Sequence, residues 1–227
     1  MKNLILTLLL LVGFLLGKAQ TPDVPGNLEV QVGINLLNDA PSAMDLNIWG
    51  SKNVNLYYHA QLQLGESHFT FNPGIGLGLE KYRFESNVTL GREDGDVVIV
   101  DLNDGFTGQV KKTKLAANYI DIPLELQYHV NKEDLKKSFR ISVGGKFGFL
   151  FNAHTKLKFK EDGDNRITKE HDNFDLSRFR YGLQGKLGIG GFNAYYYYSL
   201  SELFRNNKGP EGTGTSSMQV GLSFNAF

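Results

Sequence analysis

Tyr119-Ile120-Asp121-Ile122-Pro123-Leu124-Glu125-Leu126-Gln127-Tyr128-His129 alternates in side-chain character along its whole length. Ile120, Ile122, Leu124, Leu126 and Tyr128 are greasy, while Asp121, Glu125, Gln127 and His129 between them are polar or charged. A helix repeats every 3.6 residues or so and would mix the two sets. An extended strand sends successive side chains to opposite faces, so a period of two separates two environments.

Seven further stretches read the same way. The first runs from Asn27 to Leu37, with Leu28, Val30, Val32, Ile34 and Leu36 on one face. The second runs from Asn53 to Leu64 and the third from Phe69 to Phe84. The Tyr119 stretch is the fourth, followed by Ser138–Asn152, Arg178–Ile189 and Phe192–Leu200. The eighth ends the chain, with Met218, Val220, Leu222, Phe224 and Ala226 on its apolar face. Most have about the 9–11 residues that a tilted strand needs to cross a bilayer.

The connections alternate in length. Gly65–His68, Asn131–Lys137 and Gly190-Gly191 are short, whereas 38–52, 85–117, 153–173 and 201–214 are long. All the long ones fall on one side if both ends of the barrel lie on the other. That is the arrangement of short periplasmic turns and long extracellular loops. The reading is all-β: an eight-stranded antiparallel up-and-down transmembrane β-barrel.

The N-terminus supports export. Lys2 precedes an apolar run from Leu4 to Leu16, shorter than the roughly 20 residues of a membrane helix. Gly17-Lys18-Ala19 is a small-x-small pattern, so 1–19 is expected to be a signal peptide cleaved after Ala19, with 20–227 the barrel domain. No Cys follows the apolar run to carry a lipid, and none is present to form a disulfide. The 24 basic residues balance the 24 acidic ones, so nothing in the composition suggests a nucleic-acid binder. Mean hydropathy is −0.26, a soluble value, but a barrel evades that test because only alternate residues meet lipid.

A soluble, lipocalin-like barrel with its apolar face inward is the competing fold. Glycines argue against it. Gly74, Gly76 and Gly78, then Gly144 and Gly148, then Gly182 and Gly188, all fall on the polar face. In a narrow lumen they make room for large neighbours, whereas on a watery surface they only weaken a strand. Tyr57, Tyr82, Tyr119, Tyr195 and Tyr197 share that face and are expected to fill the interior. Trp49, Tyr58, Tyr128, Phe151 and Phe192 near strand ends suit interface girdles.

Tyr119–Leu124, Ser142-Val143-Gly144-Gly145-Lys146 with Gly148, Asn72-Pro73-Gly74-Ile75-Gly76 and Val220–Phe224 together resemble the outer-membrane β-barrel family widespread in Bacteroidota, which includes PorT-like proteins. The resemblance covers nearly all of 20–227, and its motifs are structural. It implies an outer-membrane, porin-like barrel of the cell envelope, with roles that include secretion-system accessory. Pro123 lacks the N–H of a ladder bond, so a bulge or strand end is expected there.

The polar face carries the acids Glu29, Glu80, Asp121 and Glu125 and the bases Arg140, Lys146, Arg180 and Lys186, with His59 and His129 nearby. An eight-stranded barrel is just wide enough to be filled by side chains, and an unpaired charge there costs several kcal/mol. These eight are therefore expected to form a lumen ion-pair network. A narrow channel or small-ligand pocket is the alternative. A lipid-modifying enzyme would need His59 or His129 to meet Ser142 or Asp121, and no motif unites them. Asp101-Leu102-Asn103-Asp104-Gly105 begins like a calcium loop, but its glycine comes one position early and the closing Glu is missing. With Asp94, Asp96, Asp162, Asp164 and Asn165 it reads as solvated loop, balanced by Lys111, Lys112 and Lys114.

The expectation is a monomeric, non-enzymatic barrel without cofactor or metal. It would play a structural, interaction or secretion-accessory role through its extracellular loops. Its partners would be outer-membrane lipid and lipopolysaccharide, the barrel-assembly machinery, and envelope or secretion-system proteins.

Overall fold

The computed structural model describes residues 26–104, 106–135, 137–205 and 208–226. The expected signal peptide and its cleavage site after Ala19 lie outside the described residues.

Twelve strands follow in chain order: β1 (Asn27–Asn38), β2 (Lys52–His59), β3 (Leu62–Gln63), β4 (Phe69–Arg83), β5 (Val88–Glu93), β6 (Asp96–Asp101), β7 (Gln109–His129), β8 (Phe139–Glu161), β9 (Asp164–Glu170), β10 (Phe179–Ile189), β11 (Phe192–Glu202) and β12 (Ser216–Ala226). Eight form the wall in the order β1, β2, β4, β7, β8, β10, β11, β12, all neighbours antiparallel. β1 closes the ring against β12 in unbroken register from Leu28↔Ala226 to Asn38↔Ser216. No helix among the described residues is long and apolar enough to cross a membrane.

The two faces separate as alternation requires. Ile120, Ile122, Phe147, Phe149, Leu183, Leu187 and Leu222 point outward and are exposed, whereas Tyr57, Tyr82, Tyr119, Tyr195 and Tyr197 are buried inside. The soluble alternative, with an apolar interior, is thereby reversed.

Pro123 corrects one expectation. β7 runs straight through it, and Pro123 stays opposite Lys146 of β8 with no register shift. Pairing with β4 lapses instead, between Pro73↔Leu124 and Gly76↔Asp121, and resumes in the same register. The missing N–H is absorbed by a local gap rather than an extra residue. The register shifts in β7–β8 lie earlier, between Val110 and Lys112 and between Asn118 and Tyr119.

The long connections are also more ordered than a loop reading implies. Within 85–117, β5 and β6 form a hairpin and β7 begins at Gln109. Within 153–173, β8 extends to Glu161 and turns back as β9. Both hairpins turn on Asp-Gly pairs with positive φ, 52° and 91° at Asp94-Gly95 and 51° and 91° at Asp162-Gly163. Two successive positive φ values define the turn whose twist matches a hairpin.

These connections build a cap over the extracellular end. Met44, Phe84, Leu90, Val97, Leu115, Phe174, Leu176 and Phe204 bury one another in a single apolar cluster that reaches Tyr82 and Tyr119 at the barrel mouth. Arg92 locks β5 to the segment after β9: its Nε donates to Asp172 at 2.7 Å, its Nη1 to Asp175 at 2.8 Å and its Nη2 to Asn173 at 3.2 Å. The lock holds Phe174 and Asp175 at φ 45° and 49°, a region that side chains disfavour.

Two outcomes follow. Ile122 faces lipid at 47% exposure. Ile122→Arg is expected to destabilise the membrane-inserted barrel by about 2–4 kcal/mol if it lies near the midplane, measured by denaturant unfolding from vesicles. In the cap, partial burial raises the Asp172 carboxyl, but the hydrogen bond and charge of Arg92 outweigh it and hold the group below its usual 3.8. A depressed carboxyl stabilises above its unfolded value and loses that contribution as pH falls through the folded one. Hydrogen exchange at 172–176, corrected for its intrinsic pH dependence, should therefore rise as pH drops below about 3.8 and show no such step in Arg92→Gln.

Candidate functional site in the barrel lumen

All eight charged residues expected in the lumen are buried, from Asp121 and Lys146 at 0% exposure to Arg180 at 5%. The wall brings them into two groups.

The upper group centres on Arg180 of β10. Its Nη2 lies 2.9 and 2.7 Å from the two carboxylate oxygens of Asp121 on β7, and its Nη1 pairs with Glu80 of β4. Planar fork-on-carboxylate geometry is the strongest form such a pair takes. Tyr57 donates to Asp121 at 2.8 Å and Tyr82 to Glu80 at 2.5 Å, while Gln219 also donates to Glu80. The guanidinium lies 3.7 Å from the centre of the Tyr119 ring. Two glycines make this possible. A Cβ on Gly78 would come 2.6 Å from Arg180 Nη2, and one on Gly148 would come 2.7 Å from Nε. Lys146 completes the group through the Tyr197 ring, 3.7 Å from its centre, and Gln219 Oε1 at 3.3 Å, rather than through a carboxylate.

The lower group centres on Lys186. Its ammonium sits 2.7 Å from each oxygen of Glu29 and 2.5 Å from Glu125. His59 Nε2 lies 2.8 Å from Glu29 Oε2, and Gln31, Gln127 and Gln184 donate to the two carboxylates. Arg140 donates from Nε to Asn193 at 2.9 Å. Glu29, His59 and Glu125 bring ligand atoms within 4.8 Å of one another, a spacing that could hold a cation. The Lys186 ammonium already bridges the two carboxylates, so the negative charge is met from within the chain.

Amides fill the remaining cross-section. Asn53 donates to Asn35 at 2.9 Å, Asn55 to Gln31 at 2.9 Å, and Tyr195 to Asn53 at 2.5 Å. Near the short-turn end, a cavity of about 10 Å³ lies among Asn27, Gln61, Asn72 and Asn225, enough for about one water.

Residues that could have served catalysis are apart. His59 is held by Glu29, His129 faces Thr70 Oγ1 at 3.1 Å, and Asp121 is held by Arg180. Among the described residues, no hydrogen bond joins either histidine to Ser142 or Asp121. In the acidic connections, Asp101 accepts from the backbone and side chain of Asn103, both at 2.8 Å, and Asp96 pairs with Lys208 at 2.8 Å.

Sequence reading overlooked the cap, although each hairpin is announced by an Asp-Gly pair between alternating residues. It also overlooked the cross-strand partners of the lysines in those stretches, because register is not visible in one strand alone.

A closed wall, apolar outside and charged within, defines an integral β-barrel of the outer-membrane class. Residues 19–205 match the outer membrane protein beta-barrel domain family, and the chain belongs to it. No curated protein matches the chain in sequence. Among solved structures it is similar to Ail, the attachment invasion locus protein of Yersinia pestis, at 12% identity and a TM-score of 0.40, covering 89% of this chain and 100% of that one. A second structure of Ail, in complex with the heparin analogue sucrose octasulfate, gives a TM-score of 0.39 at the same identity and coverage. A mutant of the Rh. blastica porin matches at 8% identity and a TM-score of 0.23, covering 88% of this chain and 99% of that one.

Removing Arg180 tests the upper group. Arg180→Met leaves Asp121 and Glu80 buried without their cation and should destabilise the barrel by about 3–5 kcal/mol. Adding Asp121→Asn and Glu80→Gln to that variant should recover much of the loss, read from denaturant midpoints of the three proteins.

Proposed function

We propose that this is a monomeric outer-membrane barrel with a closed interior, acting as a structural or interaction protein through its extracellular cap. The observation that carries the reading is the lumen. Glu29, Glu80, Asp121 and Glu125 each have a cationic partner across the interior. A conduit would instead need a continuous polar path and charges free to meet ions. The ordered cap supports the same reading, since an apolar core over the mouth costs a pore its entrance and gives a partner a rigid surface.

The protein is not an enzyme on this reading, because the histidines are committed to structural contacts. Export with cleavage after Ala19, insertion by the barrel-assembly machinery, and contacts with envelope or secretion-system proteins complete it. A PorT-like, secretion-accessory role is the form favoured by the sequence resemblance.

The test is reconstitution of the purified protein into planar bilayers. No stepwise conductance is expected at neutral pH, whereas Arg180→Ala/Lys186→Ala, which opens both groups, should admit ions if it stays folded. Regular single-channel steps from the unaltered protein would overturn the closed-lumen reading and favour a narrow channel.

A further inference from the structure

The outward stripe of each wall strand is apolar through the membrane, but on four neighbouring strands it turns basic at one level. On β4 the outward residues run Ile75, Leu77, Leu79, then Lys81 and Arg83. On β2 they run Leu56 and Val54, then Lys52. On β7 Ile122 and Ile120 give way, beyond Asn118 and Ala116, to Lys114 and Lys112. On β8, past the bulge, the same face carries His154, Lys156 and Lys158.

Register places these cations directly beside one another. Arg83 is opposite Lys114, Lys114 opposite Lys156, and Lys156 opposite Lys169 of β9, an unbroken row across four strands. Lys52 is opposite Lys81, and Lys112 opposite Lys158, in the flanking rows. Directly opposed like charges destabilise a sheet. None of these residues forms an ion pair with a carboxylate among the described residues, and Arg83 donates from Nη1 to a neutral partner, Asn47 Oδ1, at 3.5 Å. Lys114 lies above the apolar belt, and partial burial, then repulsion from Lys81 and Lys156, pulls it down to about 8.

Such a row needs an anion from outside the chain, and its depth says which. It continues the lipid-facing stripe at the extracellular end, where headgroups of the outer leaflet begin. Trp49, 82% exposed, marks the same level: Asn47, two residues before it, donates from its backbone N to the Arg83 carbonyl at 2.9 Å.

We propose that the outward rim of β2, β4, β7, β8 and β9 is a binding surface for phosphate groups of outer-leaflet lipid. Arg83, Lys114, Lys156 and Lys169 form its central row. This rests on the outer-membrane orientation and not on the lumen being closed, so a conducting barrel would leave it standing.

The test titrates fluorescent diphosphoryl lipid A onto the full-length protein in zwitterionic detergent, with heat-modifiability as the check of folding. Lys114→Gln/Lys156→Gln/Lys169→Gln removes three cations without removing bulk. Each cation near such a surface contributes about five-fold, so affinity should fall on the order of 100-fold and become less salt-dependent. Lys132→Gln/Lys137→Gln, in a short turn at the other end, should bind as the unaltered protein does. Equal affinity in the triple variant would overturn the proposal, as would equal loss in the turn variant. Equal binding of dephosphorylated lipid A would assign retention to the apolar belt. Inorganic polyphosphate binding as tightly as the lipid would make a soluble polyanion the occupant. Both results would also overturn it.

Discussion

A strand edge inside a bilayer has no water to take up its N–H and C=O groups, and that constraint shapes the whole molecule. It is met by the pairing of β1 with β12, which turns an open sheet into a ring. Closure with eight strands then sets the bore. A bore this narrow admits side chains but little water, so whatever polar groups face inward must satisfy one another. The alternation of Tyr119–His129 is the local form of the same rule: greasy residues for lipid, and acids and amides that need partners within the wall.

The interior answers with geometry more than with energy. Buried ion pairs often do no better than apolar residues of equal volume, because desolvation offsets their attraction. What they impose is arrangement. Arg180 reaches Asp121 only because Gly78 and Gly148 leave its plane clear. It reaches Glu80 only when β4 and β10 stand at their observed separation around the ring. A slip of one residue in any strand would turn its charges toward lipid. The network therefore specifies register, and its cations and anions come from β1, β4, β7, β8 and β10, strands that no local interaction could align.

Much of this was legible in the sequence, and the reasons for the rest are physical. Alternation announced the wall, its two faces and the eight lumen charges, since period two is a local property. Pairings such as Lys186 with both Glu29 and Glu125 were not legible, because they depend on which strands face each other across the bore. Pro123 misled because a missing N–H forces either a bulge or a gap, and one strand alone does not distinguish them. The stretches 85–117 and 153–173 read as loops because their length and charge outweighed the Asp94-Gly95 and Asp162-Gly163 turns within them. Lys111, Lys112 and Lys114 looked like a local balance for the acids. Register shows that Lys114 faces Lys156 and Lys112 faces Lys158, while Asp96 pairs with Lys208 and Asp101 with Asn103.

The chain thus solves two solvent problems in succession along the same strands. Below the bulge at Asn118 and Tyr119, β7 and β8 follow membrane rules, with apolar side chains outward and charges within. Above it the inward face becomes apolar, with Leu115 and Ala117 joining Phe174 and Phe204 in the cap core, while the outward face becomes basic. The inversion is that of a protein leaving lipid for water, and it occurs within continuous strands rather than at a flexible joint. The cap is therefore joined to the wall through the unbroken strands β7 and β8. A loop-borne function would ordinarily pay in ordering entropy on binding. Here folding has already met that cost, so under the proposed interaction role the cap would bind as a preformed surface.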